Sequence, residues 1–159
     1  MSQAQNYLKL EALLHRLQPV TDPSYQAALY LLSTDTELTD IAAKYIDSDG
    51  IDFTRIKRST QGFDDRTQKL IDVAHNLFSW NSVCLVTPFD LSRLCYPMLD
   101  QFCKALYISA GQITVQIQGR DTALPHMELD DGPYQKTVRF NDMLQQMQKA
   151  ACTPQEPEL

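Results

Sequence analysis

Apolar residues fall at helical spacing over the first two thirds of the chain and at alternate positions only near its end. Leu10, Leu13, Leu14 and Leu17 occupy i, i+3, i+4 and i+7 and predict a first helix that stops before Pro19. Asp22-Pro23 is an N-cap followed by a proline at the first helical position, where the absent N–H has no partner to lose. The helix it opens carries Tyr25, Ala28, Leu29 and Leu32 on one face. Thr34 and Glu37 have capping-box spacing. The helix beyond them turns Leu38, Ile41, Ala42, Tyr45 and Ile46 inward and ends in the turn Asp47-Ser-Asp-Gly50.

Residues 51 to 62 are less regular, with Ile51, Phe53 and Ile56 as anchors and Arg55, Lys57 and Arg58 facing water. Asp64 reads as the next N-cap. After it Leu70, Ile71, Ala74, Leu77 and Phe78 form the cleanest amphipathic stripe in the chain. A short apolar run, Val83 to Val86, precedes a long helical region that Asp90 is expected to cap. Leu91, Leu94, Cys95, Met98, Leu99, Phe102, Cys103 and Leu106 hold register there, which makes Cys95 and Cys103 small core residues. Pro97 interrupts this region and is expected to start a second helix after a single turn.

After Ala110-Gly111 the period changes to two. Ile113, Val115 and Ile117 alternate with Thr114 and Gln116, the pattern of a strand with one wet face. The residues from Thr137 to Phe140 are the expected antiparallel partner, with a long loop from Gln118 to Lys136 between them. Asn141 then caps a final helix that turns Leu144 and Met147 inward. The expected fold is mostly α: a compact multi-helix domain (1–111), then a C-terminal two-stranded antiparallel ribbon and a short final helix (112–151), with a disordered tail (152–159). A bare hairpin is marginal in water, so the ribbon must pack on the helices or on another copy.

Composition excludes more than it assigns. At 43% hydrophobic and 21% charged, 159 residues suit one folded domain and not a disordered chain. The formal charge of −6 is spread along the chain, so neither half is a basic module. The opening residues lack a basic region followed by an apolar block, and no apolar run approaches the ~20 residues of a membrane span. A cytoplasmic protein with reduced thiols and no membrane attachment is therefore expected. Cys84, Cys95, Cys103 and Cys152 form no C-x-x-C pair, and no histidine lies at ligand spacing from them, so no zinc site is assigned.

Four groups of residues carry candidate chemistry. Asp47, Asp49 and Asp52 beside Gly50 resemble a calcium loop. Aligning Gly50 with the EF-hand glycine puts Tyr45 first and Ile56 at the twelfth position, where a bidentate glutamate belongs, so no metal is assigned. His75, with Asp72 one turn earlier, has the spacing of a carboxylate-oriented general base and gives an alternative reading as a small hydrolase. Arg55, Lys57 and Arg58 are the one concentrated basic run and give a second alternative, weak nucleic-acid binding, against the negative field of the chain. Phe78, Trp80, Phe89, Tyr96, Phe102 and Tyr107 gather around residues 81–87. Trp80 and Phe89 stand at element ends, where aromatic rings either close the core or anchor a partner.

The segments Gln26-Ala-Ala-Leu-Tyr-Leu-Leu32, Lys69-Leu-Ile-Asp-Val-Ala-His-Asn-Leu-Phe78 and Leu99-Asp-Gln-Phe-Cys-Lys-Ala-Leu-Tyr-Ile108 resemble a family of small, mostly helical proteins from Gram-positive bacteria and their mobile elements. The resemblance covers about residues 22 to 109 and rests on apolar helix faces. It implies a compact helical domain and transfers no activity, because the family has none assigned. No catalytic, cofactor or metal residue is assigned. The expected function is a non-enzymatic interaction module that docks on a protein partner or on a second copy of itself. Its candidate contacts are Trp80, Phe89, Ile113, Val115 and Ile117.

Overall fold

The chain is wound around one helix. The computed structural model describes residues 1–15 and 19–152. In chain order the helices are α1 (Gln3–Leu13), α2 (Pro23–Leu32), α3 (Thr36–Ala42), α4 (Phe53–Ser59), α5 (Asp65–Phe78), α6 (Pro88–Ser92), α7 (Met98–Ser109) and α8 (Gly132–Ala151). Two antiparallel hairpins, β1 (Ile46–Asp47) with β2 (Gly50–Ile51) and β3 (Thr114–Gln118) with β4 (His126–Asp130), complete a mostly α fold. α2 lies at the centre: every residue from Gln26 to Leu32 is buried, so it is enclosed all round and not on one face only. α5 and α7 cover one side of it, and α1, α3 and β3 the rest.

Local cap chemistry starts most of these helices. Asp22 accepts hydrogen bonds from the N–H groups of Ser24 and Tyr25, with Pro23 at the first position of α2. Asp64 caps α5 through Thr67 N–H, and the bonds from Thr67 hold its carboxyl below the usual carboxylate range. Leu10 and Leu14 are fully buried as their spacing requires, while Leu17 lies outside the described residues.

Several expectations are corrected. The helix after α2 is capped by Asp35, which accepts from Leu38 N–H, while Thr34 turns its hydroxyl back onto the Leu31 carbonyl. α3 ends at Ala42, and a 3-10 turn (Ala43–Tyr45) delivers Ile46 into β1. The irregular stretch 51–62 contains α4, which Asp52 caps through Arg55 N–H. Asp90 is not a cap but the third residue of a capping box whose N-cap is Thr87. The four cysteines are free thiols, and Cys95 and Cys103 are exposed: Cys95 lies in the link between α6 and α7, and Cys103 falls outside the buried face of α7, which is Phe102, Ala105 and Ile108. α7 does begin after Pro97, whose peptide bond with Tyr96 is cis.

The ribbon differs from its expectation in partner and in length of helix. β3 pairs with β4, in register Thr114↔Asp130 to Gln118↔His126, inside the stretch expected to be a loop. Met127 and Leu129 face the core beside Val115 and Ile117. Thr137 to Phe140 lies instead within α8, which starts at Gly132 with Pro133 in its first turn and runs for 20 residues. Asn141 is therefore mid-helix, and Leu144 and Met147 are exposed.

A buried polar chain joins the two ends of this fold. Glu11, 1% exposed, accepts Val20 N–H at 2.8 Å and is gripped by both guanidinium nitrogens of Arg120, just beyond β3. Gln26, also buried, donates to the Val20 carbonyl at 2.7 Å and accepts Val115 N–H at 3.1 Å. Replacing Gln26 with leucine strands one carbonyl and one N–H in the core. Gln26→Leu should therefore lose about 2–4 kcal/mol, read as a lower urea midpoint at unchanged slope. Arg120→Ala leaves the Glu11 carboxylate buried with one N–H partner. Because the Arg120 side chain is itself 26% exposed, a loss at or below about 3 kcal/mol is expected in the same titration.

Candidate interaction surface

The segment between α5 and α7 is fixed at its base and apolar on its outer side. Ser79, the C-cap of α5, accepts Ser82 N–H on its carbonyl and bonds Asn81 through its hydroxyl, while Asn76 donates to the Ser82 carbonyl at 3.0 Å. This closed turn holds Trp80 out in solvent, 90% exposed. The chain then runs extended through Val83, Cys84, Leu85 and Val86 with strand-like alternation. Cys84 and Val86 pack against the core, and Val83 and Leu85 stand out, Leu85 at 81% exposure. Among the described residues, no backbone group of residues 83–86 makes a backbone hydrogen bond, and the stretch belongs to neither hairpin.

α6 continues the surface. Leu91, Leu94 and Met98 pack inward, whereas Phe89 and Tyr96 are exposed and the Arg93 guanidinium lies 5.1 Å from the Phe89 ring centre. The Thr87–Asp90 capping box fixes the start of α6 and lowers the Asp90 carboxyl below the ordinary carboxylate range, chiefly through its hydrogen bond from the Thr87 backbone. The outward side chains are thus carried on chain whose alternate residues are anchored.

Of the candidate contacts, Trp80 and Phe89 belong to this surface. Val115 and Ile117 do not: both are buried in the core, and Ile113 packs half-buried beside it. The outer face of the ribbon is polar, with Gln116 bonded to Asp130 and Gln118 to Glu128. Val83, Leu85 and Tyr96 are also exposed on this segment and are absent from the sequence shortlist. The alternation at residues 82–87 is the signal for the first two, since one of its two sets must face outward.

The candidate chemical groups are dispersed. His75 stacks on Phe53 at 4.7 Å, and its buried Nδ1 has no hydrogen-bond partner. Asp72 is turned away to Lys57, 2.8 Å from its Nζ. The cleft between α4 and α5, about 430 Å³, is lined by Lys57, Arg58, Gln61, Gln68 and Asp72, and His75 is not in its wall. Arg55 pairs with Asp52 at 3.3 Å, so two of the three cations of the basic run face carboxylates. Asp47 accepts Asp49 N–H in the tight turn of the β1–β2 hairpin, where Gly50 has φ +139° and Asp52 is occupied as a cap. Among the described residues, no group of three histidine, cysteine or acidic side chains is placed to hold a metal ion.

Burial, then the Lys57 charge, push the His75 imidazole below its ordinary value of 6.5, with Asp72 opposing. The unfolded chain therefore binds this proton more readily than the folded one. The contribution of His75 is complete above pH 6.5 and declines as pH falls from 6.5 through the lower folded value. Urea midpoints measured from pH 7.5 to 5 should fall with acidity in the wild type. In His75→Phe, which keeps the stack on Phe53, that dependence should flatten.

No protein-family model matches the chain, and neither a curated protein nor a solved structure matches it.

Proposed function

We propose that the chain is a non-enzymatic protein–protein interaction module that docks through residues 79–97. The observation that carries this reading is an anchored segment whose outward side chains are Trp80, Val83, Leu85, Phe89 and Tyr96, beside unpaired backbone. Aromatic anchors and backbone groups without main-chain partners are what an extended partner segment can use: main-chain bonds supply affinity, and the alternating side chains supply register. A contiguous exposed apolar surface of this kind marks a site of association.

The proposal includes kinship of residues 22–109 with the small, mostly helical proteins of Gram-positive bacteria and their mobile elements, on the order of the apolar faces in α2, α5 and α7. It also places the chain in the cytoplasm, a reducing compartment suited to four free thiols. Among the described residues no helix is long and apolar enough to cross a membrane.

Trp80 is the only tryptophan in the sequence, so its fluorescence reports on this surface directly. The free protein should emit like a solvated indole and be quenched fully by acrylamide. Complex formation with a captured partner should shift the emission to the blue. Trp80→Ser combined with Leu85→Ser should abolish capture while changing stability by no more than about 0.5 kcal/mol. Capture undiminished in that double variant would overturn the reading.

A further inference from the structure

A second apolar surface lies on α8, away from residues 79–97. Its base is fastened to the body: Tyr134 donates its N–H to the Gln112 carbonyl at 3.0 Å, and its ring meets Tyr107 edge-on at 5.6 Å. Val138 is half-buried, and every residue from Arg139 to Cys152 is exposed. Along that exposed stretch Phe140, Met143, Leu144 and Met147 sit at i, i+3, i+4 and i+7. Phe140 is 57% exposed and Met147 61%. A helix of this length has little intrinsic stability in water and depends on packing of its apolar face.

We propose that α8 pairs antiparallel with α8 of a second copy of this chain, about a two-fold axis between Met143 and Leu144. Three observations single out this occupant. The stripe is symmetric about its own midpoint, so the two-fold sets Phe140 against the partner's Met147 and Met143 against the partner's Leu144, the self-complementarity an isologous interface requires. In the same register Arg139 falls opposite the partner's Gln148 and Asp142 opposite the partner's Gln145, so no like charges meet along the seam.

Charge gives the direction of pairing. α8 holds Lys136, Arg139 and Lys149 against Asp142, a net +2, while residues 1–131 carry −6 and residues 152–159 carry −2. Antiparallel helices keep the two acidic bodies at opposite ends of a rod of about 30 Å, well beyond the Debye length of roughly 8 Å. Parallel helices would hold the two bodies side by side. The four stripe residues expose on the order of 400 Å² per helix. Two helices with their flanking glutamines thus approach the ~1,000 Å² that a specific interface needs. An anionic lipid surface is the weaker match, because the polar face is mostly glutamine and the body is strongly acidic.

The test is sedimentation equilibrium of the full chain with two single variants, Leu144→Glu and Met143→Lys. The wild type should be a concentration-dependent dimer, and each variant alone should dissociate at least about tenfold more readily, since its own two-fold buries unpaired charges. Mixed in equal amounts the variants should recover the dimer, because Glu at 144 then faces Lys at 143 of the partner subunit and the opposite junction stays apolar. Parallel pairing gives no such rescue. The proposal is overturned by a wild type that stays monomeric to its solubility limit, by a dimer that survives both variants, by failure of the mixture to recover it, or by binding to phosphatidylglycerol vesicles in place of dimerisation. Neither variant touches residues 79–97, so this result and the partner-capture result fail independently.

Discussion

The fold depends on a polar connection through its apolar interior. Val20, in the short link between α1 and α2, has its N–H taken by Glu11 and its carbonyl by Gln26. The same two side chains reach on to the ribbon, Glu11 to Arg120 and Gln26 to Val115 N–H. One set of bonds therefore fixes the α1–α2 link and the seat of β3, elements about a hundred residues apart. Such bonds add little net stability when intact but leave a severe penalty when half of one is removed. They favour one arrangement of the helices over others that bury the same apolar area. Tyr7 is drawn into this region: burial, and then the Glu11 carboxylate, push its hydroxyl far above the usual phenol range, against the opposing pull of Arg120.

This connection also marks the limit of what is legible in the sequence. The helix starts at Asp22 and Asp64 are legible because a cap and the N–H groups it satisfies lie within three residues of each other. The α5 stripe is legible because its period persists over four turns. The central position of α2 is not, since Gln26 reads as a polar residue on a helix surface until Val20 and Val115 are brought to it. β4 is similarly hidden: His126 to Asp130 contains two apolar residues in five, and its pairing is decided by β3 and by α1. Within α8 the four residues from Thr137 to Phe140 favour a strand locally. The longer run of Gln, Met, Lys and Ala after them, opened by Pro133, outweighs that preference.

The candidate surface divides the same way. For Trp80 and Phe89 the sequence leaves open whether the rings close the core or face solvent, and the turn from Ser79 to Ser82 and the Thr87 cap decide it by holding both outward. Val83 and Leu85 depend on which alternate set turns inward, and that is settled by how Cys84 and Val86 meet the core. Ile113, Val115 and Ile117 show the reverse case. Their alternation correctly marks a strand with one apolar face, but alternation does not say whether that face meets the chain's own helices or another molecule. Gln26 decides it, by accepting Val115 N–H and pinning the strand to α2.

The same pinning determines where α8 goes. Gln112, just before β3, receives Tyr134 N–H, and Asp130, at the end of β4, accepts Gly132 N–H, so the base of the helix is stapled to both strands at the open end of the ribbon. From Tyr134 to Cys152 there is no glycine or proline at which a helix could fold back. The helix does not turn Phe140, Met143, Leu144 and Met147 back onto the body, and all four are exposed. A stripe that its own core does not cover is the face that the proposed pairing of two copies would bury. The buried bonds at Glu11 and Gln26, far from α8 in sequence, thus set the direction in which the helix leaves the body.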